Sequence, residues 1–238
     1  MRFAVILPVY NEEATLEKVL DKVSHYYKEA DLVVVDDGSV DRTPEILKGL
    51  PVKAVIRHPR NLGYGQTLID GFRYVIEQGY DWCVTMDADD QHEPAYIHCL
   101  LEKLDQFDIV SGSRYLDPLM PGDHPPADRL EVNRLVTEKL RQLTGFPLTD
   151  SFCGFKGYRV EALKKLQLTE TNYGFPLQVW MQAARHGLKV TECAVPLIYL
   201  DPKRNFNNQF TGQDERLQHY FAVLEREKES WEAARRPS

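Results

Sequence analysis

The sequence predicts one α/β domain built on a doubly wound, mostly parallel sheet flanked by helices. Three observations point there. Five short, β-branched-rich apolar runs recur through the first half of the chain. Their apolar residues fall on both faces, as in strands buried from both sides. Stretches with helical periodicity separate them, at the length a right-handed crossover needs.

In order, the strand runs are FAVILPV (3–9), DLVVVDD (31–37), VKAVIRH (52–58), DWCVTMD (81–87) and FDIVSGS (107–113). The first helix starts near Glu12 and carries Leu16, Val19, Leu20 and Val23 on one face. The second follows Asp41, with Pro44 in its first turn, where a missing N–H costs nothing. The third spans about Tyr64 to Gln78, and the fourth starts near Pro94. This β-α-β-α-β-α-β series makes the N-terminal half Rossmann-like.

The rhythm breaks at YLDPLMPGDHPPAD (115–128), a proline-rich loop expected to be mobile without its ligand. A helix is expected at about 129–143, then an irregular strand-like stretch, PLTDSFCGFKGYR (147–159), and a short helix at 160–166. A helix at about 175–186 precedes a last strand, KVTECAVPLIYL (189–200). Residues 213–232 space Leu217, Tyr220, Phe221, Leu224 and Trp231 as one helix face. The opposite face is mixed in charge, so packing on the domain is expected rather than adsorption to a membrane. Trp82, Trp180 and Trp231 read as core.

At 238 residues the chain is long enough for a substantial core. The net charge of −7 excludes a general nucleic-acid-binding surface, so an anionic ligand needs a local basic site. No stretch is apolar for the ~18 residues a membrane span needs, and the opening apolar run is too short for a signal h-region. Cys83, Cys99, Cys153 and Cys193 follow no metal-ligand spacing and are expected to be reduced, in a cytoplasmic protein.

In a doubly wound sheet, ligands bind beyond the carboxyl ends of the strands. Four predicted ends are polar: Pro8-Val9-Tyr10-Asn11-Glu12, Asp36-Asp37-Gly38-Ser39, Asp87-Ala88-Asp89-Asp90-Gln91 and Ser111-Gly112-Ser113-Arg114. Asp87 and Asp89 can converge where the chain turns, and hard oxygen donors suit Mg²⁺ or Mn²⁺ bridging to phosphate. The bland alternative is an acidic turn capping the helix near Pro94. Asp37 reads as a ribose or base contact, or as a simple Asx turn. The turn around Gly63 suits close approach of backbone to a phosphate. No P-loop pattern occurs.

Together PVYNE, VVDDGS, the glycine turn, MDADDQHEP, GSRY and DSFCGFKGYR resemble family-2 glycosyltransferases of the GT-A fold over about residues 3–200. Within that family the set is most similar to dolichyl- and polyprenyl-phosphate sugar synthases. The resemblance implies one catalytic domain, 1–238. Its nucleotide-sugar half is about 1–113, its acceptor half about 114–212, and a C-terminal helix covers about 213–238. It implies a nucleotide-sugar pocket of Pro8, Tyr10, Asn11, Glu12, Asp37, Gly63, Asp87 and Asp89. Asp87, Asp89 and Gln91 would hold Mg²⁺ or Mn²⁺. Asp90 fills a variable slot and is expected behind the site or exposed. Arg114, Arg129 and Asn133 would meet an acceptor phosphate. Pro202 stands where an arginine is expected, with Arg204 or Lys203 as substitutes. Asp89, Arg114 and Asp150 are the catalytic candidates.

The implied donor is a GDP- or UDP-sugar, and the acceptor a lipid phosphate or a glycan hydroxyl. Residues 173–180 lack the acidic pair that serves hydroxyl-directed relatives as base, which favours a phosphate acceptor unless Asp150 is the base. A lipid acceptor implies peripheral contact with the cytoplasmic membrane face. His92 is a neighbour of the acidic site or a surface histidine, and His124 a candidate substrate contact. The rivals are a nucleotidyltransferase, disfavoured because no basic residue follows strand 1 until Lys18, and a non-catalytic nucleotide-sugar binder.

Overall fold

A computed structural model describes residues 1–120, 122–123, 125–199 and 212–235. His124, Pro202, Lys203 and Arg204 lie outside the described residues. The seven strands are β1 (Phe3–Val9), β2 (Asp31–Asp36), β3 (Ala54–Arg57), β4 (Trp82–Thr85), β5 (Ile109–Ser113), β6 (Lys156–Arg159) and β7 (Val190–Ala194). They form one sheet in the order β3-β2-β1-β4-β6-β5-β7. All neighbours are parallel except β6, which runs antiparallel between β4 and β5. The strand-like stretch after 147 is therefore an inserted sheet member. Its N-terminal end lies at the same edge as the carboxyl ends of the parallel strands.

β1 is central and buried throughout, paired with β2 from Ala4↔Asp31 to Val9↔Asp36 and with β4 from Phe3↔Trp82 to Ile6↔Thr85. Its alternation divides two cores. Ala4 and Ile6 face the layer of α3 (Tyr64–Glu77), α5 (Ala127–Thr144), α7 (Phe175–Arg185) and α8 (Gln213–Arg235). Phe3, Val5, Leu7 and Val9 face α1 (Leu16–Tyr26) and α4 (Ile97–Lys103). Short helices α2 (Thr43–Leu47) and α6 (Val160–Leu163) complete the chain order. Only β3, at the edge, is half exposed, and it is the run with the strictest in–out alternation.

The last helix packs as its periodicity predicts. Tyr220, Val223 and Leu224 of α8 are buried, and the Tyr220 ring lies 4.7 Å from that of Phe152. Trp180 is fully buried, while Trp82 and Trp231 pack half-buried at the margins. Among the described residues no helix is long and apolar enough to cross a membrane.

The cysteine expectation fails for two of the four. Cys99 of α4 and Cys193 of β7 form a disulfide across 94 residues, with Cα atoms 6.3 Å apart. Wide spacing along the chain says nothing about distance once α4 packs beside the sheet. Cys83 and Cys153 are free and buried.

Candidate active site

A cleft of about 770 Å³ opens at the carboxyl edge of the sheet, where the parallel strands end and β6 begins. That volume is in the range of small-molecule sites. Strand ends place its lining: Pro8 at the end of β1 with Tyr10, Asn11 and Glu12 after it, Asp37 after β2, Asp87, Asp89 and Gln91 after β4, and Arg114 after β5. Gly63, Arg129 and Asn133 join them. Of the predicted site residues that are described, only Asp150 does not line this cleft.

The β1 end turns sharply. Asn11 adopts a left-handed conformation (φ 57°), which asparagine tolerates better than most residues. Its backbone N–H donates to Ser39 Oγ (2.9 Å), and its Oδ1 accepts from Val40 N (2.9 Å). Glu12 N donates to Thr43 Oγ1 (2.9 Å), and the Glu12 carboxylate accepts from Thr15 Oγ1 (2.9 Å). Tyr10 remains 43% exposed at the mouth.

Asp37 is nearly buried and holds the 58–63 segment. Its Oδ1 meets His58 Nδ1 (2.7 Å) and Leu62 N (2.7 Å), and its Oδ2 accepts from Gly63 N (2.9 Å). About four acceptor positions exist on a carboxylate, so most are taken. His58 also meets Asp70 Oδ2 at 3.1 Å. The glycine turn is packed closely against the chain on one side and lines the cleft. A Cβ on Gly63 would lie 2.3 Å from the carbonyl oxygen of Thr171, at φ 107°. The backbone that comes close to Gly63 is this chain's own 170–172 segment.

The three neighbouring aspartates separate by direction. Asp87 accepts from Tyr64 Oη (3.1 Å) and meets His92 Nε2 (3.2 Å). Tyr64 stacks on Tyr173, with centroids 5.7 Å apart, and His92 on Phe155 at 5.3 Å. Burial raises the Asp87 carboxyl, but His92 and Tyr64 together bring it below the ordinary range. Asp89 turns into the cleft and accepts from Gln91 N (3.0 Å). Asp90 turns away, in a left-handed conformation (φ 63°), to Lys18 (2.5 Å) and Lys22 (2.6 Å) of α1. It is 5% exposed and lies behind the site, the first of the two expected placements.

Among the described residues no three acidic, histidine or cysteine side chains converge as a metal cage. The donor set of Asp87, Asp89 and Gln91 is hard oxygen. It fits a small divalent ion whose remaining ligands are water and ligand phosphates.

Asp150 is the principal correction among the catalytic candidates. It is fully buried behind Arg114, which donates through Nε to Oδ2 (2.6 Å) and through Nη2 to Oδ1 (2.9 Å). Asn133 Nδ2 adds 2.9 Å and Phe152 N 3.1 Å, both to Oδ1. Burial raises this carboxyl, but the Arg114 charge and these hydrogen bonds outweigh it and hold it at about 2. A carboxylate so stabilised and enclosed is a poor proton acceptor. Its place is to aim Arg114. Arg129 donates to Tyr199 Oη (2.8 Å).

Four features escaped the sequence reading. Gly154 leaves room for Asp87, since a Cβ there would lie 2.5 Å from Asp87 Oδ2. Tyr64 orients the same carboxylate. Lys156 is buried, donates to the carbonyl of Cys153 and lies 5.5 Å over the Trp180 ring, with its pKa lowered by burial. Arg216 of α8 lines the cleft from outside every motif. The glycine inside DSFCGF was a usable signal for the first, whereas Arg216 had none.

Comparison with known proteins gives the family and the fold. The model of Glycosyl transferase family 2 matches residues 4–167. The chain is 32% identical to the undecaprenyl-phosphate mannosyltransferase of Micrococcus luteus, over 84% of this chain and 84% of that protein. It is 31% identical to the polyprenol monophosphomannose synthase of Mycolicibacterium smegmatis, over 84% and 78%. In fold it is similar to glucosyl-3-phosphoglycerate synthase of Mycobacterium tuberculosis, solved with Mn²⁺, UDP-glucose and phosphoglyceric acid. There the TM-score is 0.71 and the identity 22%, covering 95% of this chain and 79% of that one.

Proposed function

The chain belongs to glycosyl transferase family 2, and from that premise we propose that it moves a sugar from a nucleoside-diphosphate sugar to a polyprenyl or dolichyl phosphate, with inversion. The observation that carries this reading is the charge division of the cleft. Its lining carboxylates, Glu12, Asp37, Asp87 and Asp89, all come from the first half of the chain. Its described lining guanidiniums, Arg114, Arg129 and Arg216, all come from residue 114 onward. Among the described lining residues from 114 onward none is acidic.

A sugar hydroxyl must lose a proton as it attacks, which calls for a base. Asp150 is enclosed, and among the described residues that line the cationic side there is no carboxylate in its place. A phosphate monoester oxygen is already anionic near neutral pH and asks only for cations. The named activities of the two bacterial relatives, a mannosyltransferase to undecaprenyl phosphate and a polyprenol monophosphomannose synthase, support the same acceptor class.

In this reading Pro8, Tyr10, Asn11, Glu12, Asp37 and Gly63 seat the nucleoside. Tyr64, His92 and Gly154 keep Asp87 aimed at the diphosphate. Asp87, Asp89 and Gln91 would hold Mg²⁺ or Mn²⁺, which when bound neutralises charge on the departing diphosphate. Arg114, fixed by Asp150, which Asn133 holds in turn, orients the acceptor phosphate with Arg129. The phosphate oxygen bonds to the anomeric carbon from the face opposite the diphosphate, whose bond to that carbon breaks. No proton moves. A carrier lipid brings the protein to a membrane face by peripheral contact.

The test offers labelled GDP-mannose, UDP-glucose or UDP-N-acetylglucosamine with Mn²⁺ to the purified protein. Parallel reactions contain a polyprenyl phosphate or the same polyprenol without phosphate. The expected product is lipid-extractable label from the phosphate alone. Equal transfer to the polyprenol, or transfer only to a free glycan, would overturn the acceptor assignment.

A further inference from the structure

We propose that Arg216 is a third guanidinium for the acceptor phosphate, held in the ligand-free protein by Asp128, whose carboxylate stands in for that phosphate. The inference rests on the lipid-phosphate reading above and adds to it a specificity-determining residue beyond the span of the family match.

Arg216 sits in the first turn of α8, and its Nη2 lies 2.5 Å from Asp128 Oδ2, in the first turn of α5. The guanidinium lines the cleft and the carboxylate does not. Asp128 adjoins Arg129, a second cleft-lining arginine, in sequence. The partners differ in exposure: the Arg216 side chain is 21% exposed and that of Asp128 45%. The anion sits on the open side of the pair, and the cation on the cleft side.

Helix stability does not explain the placement. A cation in a first helical turn opposes the helix dipole, which favours acidic residues there, and Asp214 and Glu215 already fill that role. An ion pair as exposed as this one also contributes little to stability. A poorly placed cation in a weak pair on a cleft wall is suited to exchanging partners. A phosphate monoester carries close to two charges and three acceptor oxygens, against one charge and two oxygens on Asp128. The planar fork of arginine matches either anion, so the better-charged one displaces the other.

The reading predicts opposite signs for the two partners. Arg216→Gln should raise the KM for polyprenyl phosphate about tenfold or more and leave the KM for the sugar nucleotide unchanged. Asp128→Asn should lower the acceptor KM by about two- to fivefold, because Arg216 no longer has to leave a carboxylate. If the pair merely latches α8 to α5, both variants will weaken acceptor use alike and lower the Tm together. Arg216→Lys keeps the charge but loses the fork, and should fall between wild type and Arg216→Gln.

A second readout does not depend on turnover. Farnesyl phosphate should raise the Tm of wild type, raise it less for Arg216→Gln, and raise it more for Asp128→Asn. If wild type binds farnesyl phosphate through Arg216 but transfers no sugar to lipid phosphate, the acceptor assignment fails and the anion site stands. Equal farnesyl phosphate shifts in wild type and Arg216→Gln, or parallel losses in both variants, overturn the proposal.

Discussion

Arg114 grips Asp150 in a two-pronged ion pair, Nε to Oδ2 at 2.6 Å and Nη2 to Oδ1 at 2.9 Å, with the carboxylate fully buried. Removing one member of such a pair leaves the other uncompensated, at a cost of about 3–5 kcal/mol. Asp150→Asn is therefore expected to be strongly destabilised at neutral pH in urea unfolding. It is also expected to lose most of its activity, because Arg114 is no longer aimed.

The same pair has a pH signature. The folded carboxyl, at about 2, lies below its ordinary value, so the unfolded chain binds the proton more readily. Stability from this group is complete above about pH 4 and is lost as the pH falls toward 2, by about 2 kcal/mol in all. The stability gap between wild type and Asp150→Asn, measured by urea titration at each pH, should narrow over that window. A constant gap would mean that Asp150 is not held by charge.

Asp89→Asn isolates the donor half. The amide oxygen can still accept from Gln91 N, so the turn should hold and the Tm should stay near wild type. Turnover should fall by at least about a hundredfold. The metal-dependent part of the nucleotide-induced thermal shift should vanish. Wild-type turnover in chelated, metal-replenished buffer would remove Asp89 from the proposed ion site.

The fold was legible where signals are local. β1, β2, β4 and β5 announce themselves because a strand buried on both faces must be apolar along its whole length, whereas β3 shows the alternation of an edge strand, and the ends cluster at one edge by topology alone. The direction of β6 was not legible, because short-range pattern carries no pairing information. The same limit hid the Cys99–Cys193 bond and the place of Arg216. Asp150 was found but misjudged. A sequence shows a carboxylate beside a motif, and only packing shows that Arg114 stands between it and the cleft.

Gly154→Ala tests a contact of that hidden kind. The added methyl would lie 2.5 Å from Asp87 Oδ2 and 3.0 Å from its Cγ. Asp87 must then leave Tyr64 or His92, the two groups that aim it. A misplacement of this size costs on the order of a hundredfold in rate when it affects a reacting group's support. Turnover should fall steeply while thermal unfolding changes little. A drop in Tm that accounts for the lost activity would make Gly154 a packing residue only.

Asp90 completes the account of the acidic run. Its carboxylate is the only one of the three that leaves the cleft, and its two lysines lie one helical turn apart on α1. Asparagine also tolerates the left-handed conformation at this position, so Asp90→Asn removes charge without adding backbone strain. If Asp90 ties the Asp87–Gln91 turn to α1, this variant should need several-fold more Mn²⁺ for half-maximal activity while kcat at saturating metal recovers. The lysines should not count equally. Lys22 is 33% exposed and Lys18 62%, so water screens Lys18 more. Lys22→Ala should shift the metal requirement further than Lys18→Ala, and a metal titration of the three variants reads the order directly. An unchanged metal requirement in Asp90→Asn would make the lysine pairs surface decoration with no hold on the site.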